Sequence, residues 1–189
     1  MNKGKLSVSF KMSEDTKRQL VFKLVVLGDS AVGKTSLINR YVEHTFETDY
    51  KPSLGVNIII KELDIEDLNA KIRLILWDIA GQSKYDLSRK LFFQGSQGAL
   101  LVYDMTRPIT FENIDKKWLN DLKKFGNKEL VYLLIGNKND LEDLKKIPTD
   151  KGKDLANKLK ASEFIETSAK SGENVEKAFE NLVYNLMKK

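Results

Sequence analysis

The chain has no cysteine and a single histidine, His44. Disulfides, thiol chemistry and thiolate metal sites are excluded, and so is a histidine metal cluster. Long apolar runs are missing too: none approaches the ~20 residues of a membrane-spanning helix, and with 31% of residues charged the chain reads as soluble. Charge of one sign is equally scarce. The 32 basic residues are interspersed with 27 acidic ones, a mixed surface rather than a nucleic-acid footprint, so no nucleic-acid partner is expected. The N-terminus lacks the apolar core of a signal peptide, and Met1-Asn2 offers no glycine for myristoylation. Asn185-Leu186-Met187-Lys188-Lys189 carries no cysteine to prenylate, so no lipid anchor is expected in this chain. With no staple available, 189 residues suffice for one domain around one sizeable core.

What is present is a repeating pattern of short apolar runs and longer amphipathic stretches. Strands are expected at Val21–Leu27, Val56–Ile65, Lys71–Trp77, Ala99–Tyr103, Leu130–Ile135 and Glu163–Ile165. Helices are expected at Gly33–Tyr41, Phe111–Phe125, Asp150–Leu159 and Val175–Met187, with a fifth near Tyr85–Phe93. Asp67, Leu68 and Asn69 lie between the second and third strands, in a gap too short for a parallel crossover, so these two form an antiparallel hairpin. The fold class is therefore α/β: a doubly wound, six-stranded, mostly parallel sheet with one antiparallel edge strand. Residues 1–20 stand apart as a basic N-terminal extension before a domain spanning 21–189. Leu6, Val8, Phe10 and Met12 alternate with polar residues there, a pattern that suits an added strand but buries too little to exclude a flexible tail.

Gly28-Asp29-Ser30-Ala31-Val32-Gly33-Lys34-Thr35, followed by Ser36, fits G-x-x-x-x-G-K-[ST] between a strand and a helix. Backbone N–H groups at a helix N-terminus present positive partial charge to a phosphate, and the two glycines let the backbone curl close. Lys34 can reach the β and γ phosphates and the Thr35 hydroxyl is placed for Mg²⁺. Alone, this loop specifies only a nucleoside triphosphate.

Three further segments narrow the chemistry. In Trp77-Asp78-Ile79-Ala80-Gly81-Gln82, Asp78 can hold Mg²⁺ through water, Gly81 can donate its N–H to a γ-phosphate, and Gln82 can orient an attacking water. Asn137-Lys138-Asn139-Asp140 follows the fifth strand at the carboxyl end of the sheet. An acceptor-only carboxylate on Asp140 suits the N1–H and amine of guanine and would be left unpaired against adenine. Ser168, Ala169 and Lys170 follow the last strand and can close over the base. A metabolic phosphate-loop kinase would need an acceptor site and an Arg-rich lid, neither of which is evident, and Gln82 argues against a non-catalytic nucleotide-binding module.

With these four segments in this order, Phe22 to Met187 resembles the Ras superfamily of small GTPases, and within it the Rab branch. The Rab-like features are Gly28-Asp29-Ser30, Gly55-Val56, Trp77 before Asp78, and Val102-Tyr103-Asp104-Met105-Thr106. The resemblance implies a small G domain of the phosphate-loop NTPase class, with GTP or GDP as ligand and Mg²⁺ as cofactor. The implied activity is slow Mg²⁺-dependent GTP hydrolysis, with Lys34 and Gln82 catalytic. It further implies that Ala169 N–H meets guanine O6, that Lys138 and Phe46 pack around the base, and that Tyr50-Lys51-Pro52-Ser53-Leu54-Gly55 is the first switch. Ser53 takes the position of the Mg²⁺ and γ-phosphate ligand, where the family has threonine. Ser83 replaces the usual glutamate and Ile58 an aromatic. The implied partners are an exchange factor, a GTPase-activating protein and effectors at segments 43–58 and 78–95. The implied location is the cytoplasm, with membrane contact made through partners.

Overall fold

The computed structural model describes residues 17–47, 55–80, 89–127 and 129–189, without the side chains of 89 and 90. The alternating segment Leu6–Met12 and the site candidates Tyr50, Ser53, Gly81 and Gln82 lie outside the described residues. Six strands form one sheet: β1 (Arg18–Leu27), β2 (Val56–Ile65), β3 (Ala70–Ile79), β4 (Gly98–Asp104), β5 (Val131–Asn137) and β6 (Glu163–Thr167). The order is β2-β3-β1-β4-β5-β6. Only the edge pair β2/β3 is antiparallel, the other four pairings being parallel. The α/β sheet expected from the apolar runs is the one observed.

Strand period explains how this sheet makes two cores. Successive residues of a strand point to opposite faces, and in β1 Leu24 and Val26 join one buried cluster while Val25 and Leu27 join the other. The first cluster is closed by α1 (Lys34–Glu43) and α6 (Val175–Met187). Tyr41 of α1 stacks on Phe179 of α6, rings 4.1 Å apart and within 4° of parallel. The second is closed by α2 (Arg89–Phe93), α3 (Pro108–Asn113), α4 (Asn120–Phe125) and α5 (Thr149–Leu159), with Phe93, Trp118 and Leu159 among its members. A sheet buried on both faces needs continuous apolar strands, and all seven residues of β4 are buried.

Several boundaries differ from those expected. β1 starts at Arg18 rather than Val21, because Arg18 and Gln19 pair with Ala70 and Lys71 through backbone while their side chains stay exposed. β3 continues to Ile79 and β5 to Asn137, carrying Asp78 and Asn137 inside the sheet. The helix expected from Phe111 starts at Pro108, whose fixed φ suits a first helical position. It is also not α-helical throughout: Ile114–Leu119 forms a π-helical segment between α3 and α4. Between β2 and β3 the chain turns through a 3-10 turn, Glu66–Leu68, and Asn69 at φ 45°.

Candidate functional site

The chain leaves β1 between two neighbours, β3 on one side and β4 on the other. At such a switch point the carboxyl ends of the strands open a crevice, and residues 28–33 emerge into it. Gly28 and Gly33 are held at φ 151° and 97°. A Cβ on Gly28 would lie 2.1 Å from the Val102 carbonyl oxygen and one on Gly33 2.3 Å from Asn137 Nδ2, so at both positions only glycine fits. Ala31 also has positive φ, at 61°. Lys34, the first residue of α1, is buried with its ammonium donating to the Gly28 and Asp29 carbonyls at 2.9 and 2.8 Å. Burial pushes its pKa down to about 8, against the pull of Asp78 and Asp29 and with help from Arg107. A cation poised in this way gains most from an incoming polyanion. Thr35 donates its hydroxyl to Asp78 Oδ2 at 2.5 Å, joining two of the three expected metal-site residues across 43 residues of sequence.

The base side is assembled around Asn137. Its Nδ2 donates to the Val32 carbonyl at 2.8 Å, and its Oδ1 accepts from the Thr167 hydroxyl at 3.1 Å and from Ala169 N–H at 3.2 Å. One buried amide therefore spans the phosphate loop, β6 and the loop after it. The Ala169 N–H expected at guanine O6 is engaged here by Asn137, in a bond long enough to be shared. Asp140 is exposed and accepts from the Ser168 hydroxyl through Oδ1 at 2.6 Å, an arrangement that fixes the carboxylate and leaves Oδ2 for a ligand. Lys138 has φ 72°, a conformation that costs a residue with a Cβ about 1–2 kcal/mol, and its ammonium pairs with Asp104 Oδ2 at 2.7 Å. Lys170 is exposed, and Phe46 lies half-buried against the first of the two cores.

A matching pattern comes from known proteins. The Ras family model matches residues 23–188. The Caenorhabditis elegans Ras-related protein rab-11.1 is 38% identical over 176 residues, which is 93% of this chain and 82% of that protein. Two Arabidopsis thaliana proteins, Ras-related proteins RABA4b and RABA6a, are each 42% identical over 89% of this chain and 75% and 72% of their own lengths. The chain belongs to the Ras family. It is a Rab-like, GTP-binding switch that hydrolyses GTP, and the six-stranded α/β sheet is the small G-domain fold.

Within this Ras-family site the structure adds residues that motif reading passed over. Asp29 of the phosphate loop accepts from Trp118 Nε1 at 2.8 Å and from Asn113 Nδ2 at 2.7 Å. Arg107 reaches the same loop, with Nη2 donating to the Ser30 carbonyl at 3.0 Å. Arg40 donates to the Ala169 and Lys170 carbonyls at 2.9 and 2.6 Å and to that of His44 at 2.9 Å, tying the base loop to the end of α1. Asp104 signalled only branch resemblance in the sequence, and Trp118 only a packed aromatic. No local pattern singles out Arg40 or Arg107. Among the described residues no helix is long and apolar enough to cross a membrane.

Proposed function

We propose the following division of labour for GTP binding and turnover in this chain, with the working domain starting at Arg18 of β1 rather than at residue 21, and the residues before it as an extension. Residues 28–36 wrap the phosphates, Lys34 neutralises the β and γ groups, and Asp140 reads the N1–H and amine of guanine. Lys138 and Phe46 flank the base, and Ser168 to Lys170 close over it. Tyr50 and Ser53 of the first switch would contact the nucleotide.

The contact between Thr35 and Asp78 carries this reading. Hydroxyl and carboxylate oxygens are hard ligands of the kind Mg²⁺ takes alongside phosphates and water. Thr35 and Ser53 would ligate Mg²⁺ directly and Asp78 through water, and the ion would supply positive charge at the β and γ oxygens. Gly81 senses the γ-phosphate and Gln82 orients the attacking water, its amide donating to one partner and accepting from the other. Loss of the γ-phosphate releases Ser53 and Gly81, and partners read the change across 43–58 and 78–95. Those partners are an exchange factor, an activating protein that supplies an arginine, and effectors, met in the cytoplasm or at a membrane to which they recruit the chain.

The test is multiple-turnover phosphate release from GTP by the full chain. The parent releases phosphate slowly and Gln82→Leu stops release while still binding GTP. Equal release by both would remove Gln82 from the mechanism, and no release by the parent would leave a binding module.

A further inference from the structure

Asp104 ends β4 with 1% of its side chain exposed, and four donors meet its carboxylate. The N–H and hydroxyl of Thr106 bond Oδ1 at 2.9 and 2.7 Å. Arg107 Nε and Lys138 Nζ share Oδ2 at 2.9 and 2.7 Å. Burial works to raise the Asp104 pKa, but the bonds from Lys138 and Thr106 outweigh it and hold the carboxyl below its usual range. Thr106 and Arg107 are near neighbours that would satisfy a carboxylate whose only task was to shape its own turn. Lys138 comes from the end of a different strand.

The two cations serve opposite ends of the site. Arg107 continues from Asp104 to the Ser30 carbonyl in the phosphate loop. Lys138 stands two residues before Asp140, in a left-handed backbone conformation that the ion pair helps to hold. Arg107 and Lys138 keep 39% and 32% of their side chains exposed, so without the carboxylate the two cations would lose their shared partner and turn apart toward solvent.

We propose that Asp104 is a positioning residue for nucleotide retention, an ionic bridge that makes the phosphate loop and the base loop one grip through Arg107 and Lys138. The proposal rests on the reading that Lys138 packs against the base. A nucleotide held at both ends escapes only when both loosen, and the bridge makes the loosening of one end depend on the other.

The experiment follows release of ribose-labelled GDP and of ribose-labelled IDP, which lacks the 2-amino group that Asp140 binds, from the full chain into excess unlabelled GTP. Asp104→Asn, close in shape, is expected to release GDP about 10- to 100-fold faster, the scale of one lost hydrogen bond to a charged group. In the parent, Arg107→Gln accelerates GDP release by a larger factor than IDP release, because the phosphate end is coupled to a fully held base. In the Asp104→Asn background the two factors become equal. A role confined to folding would not produce that equalisation. Unequal factors that persist in Asp104→Asn, equal factors in the parent, or parental GDP release by Asp104→Asn overturns the bridge. Should Asp104→Asn fail to fold, Lys138→Met and Arg107→Gln replace it: the bridge requires their combined effect to fall short of the product of the single effects, and a full product overturns it. If Lys138→Met alone leaves GDP release unchanged, the base-packing reading of Lys138 fails and takes the bridge with it. Parental release by Asp104→Asn beside accelerated release by Lys138→Met overturns the bridge alone.

Discussion

At the residue scale the site is governed by how little water reaches its one essential cation. Lys34 sits at 6% exposure against two backbone carbonyls, and burial lowers its pKa from 10.5 to about 8. In the nucleotide-free protein the cost of burying this charge is fully present below pH 8 and is relieved as pH rises toward 10.5. The unfolded chain binds the extra proton across that window. Nucleotide binding reverses the balance, since a triphosphate restores the preference for the charged amine. GTP binding should therefore take up about half a proton at pH 8 and about 0.9 at pH 9, and above pH 8 affinity should fall about tenfold per pH unit. Titration calorimetry of nucleotide-stripped protein in buffers of different ionisation enthalpy reads the uptake directly. Uptake that stays near zero through pH 9 would mean Lys34 remains fully charged in the empty site.

At the scale of elements, the π-helical segment Ile114–Leu119 shows what regular structure does for the phosphate loop. Asn113 and Trp118 are five residues apart, a spacing that an α-helix points in divergent directions and a π-turn brings to one side. Both reach Asp29. Trp118→Phe keeps most of the packing, removes the indole donor and leaves a void, so it should cost about 2–4 kcal/mol in urea unfolding of the GDP-bound protein. Paired with Asp29→Asn in a double-mutant cycle, it should show coupling of about 1.5 kcal/mol or more, and strictly additive effects would mean the bond contributes nothing.

The same helix illustrates where the sequence stopped being legible. Gly28 to Ser36 could be read because their chemistry lies in contiguous backbone and adjacent side chains, and the strands because apolar runs persist when both faces of a sheet are buried. One π-turn inside a longer amphipathic helix shifts the apolar pattern by a single residue, and Pro108 opens the helix three residues before Phe111. Trp118 to Asp29 spans 89 residues and Arg40 to Ala169 spans 129. Such contacts depend on strand order and register, which no local pattern encodes. Its spacing marks Asn137 as a base-pocket residue, while its part in joining the Val32 carbonyl to Ala169 depends on the pairing of β5 with β6.

For the whole molecule, the sheet sets the dimensions of the site. Five parallel strands deliver Gly28, Asp78, Asp104, Asn137 and Thr167 at or just beyond their carboxyl ends, and a ligand there reinforces the bonds among the loops that follow. Because these strands run through both cores, a bound nucleotide should stabilise the molecule as a unit rather than one lobe of it. At a hundredfold excess over its dissociation constant a ligand contributes about 2.7 kcal/mol, which for a domain of this size raises the thermal midpoint by roughly 5–11 °C. Nucleotide-stripped protein with Mg²⁺ should show such a rise with GDP and none with ADP at the same concentration, because adenine would leave the Asp140 carboxylate without its donors. In Asp140→Asn the acceptor at the base edge becomes a donor as well, and the rise should move from GDP to XDP, whose 2-oxo group accepts where guanine's amine donates. Scanning calorimetry with the three nucleotides decides it. Equal shifts from GDP and ADP in the parent would mean the phosphates alone account for binding, and a GDP preference that survives Asp140→Asn would place base recognition elsewhere among the loops after β5 and β6.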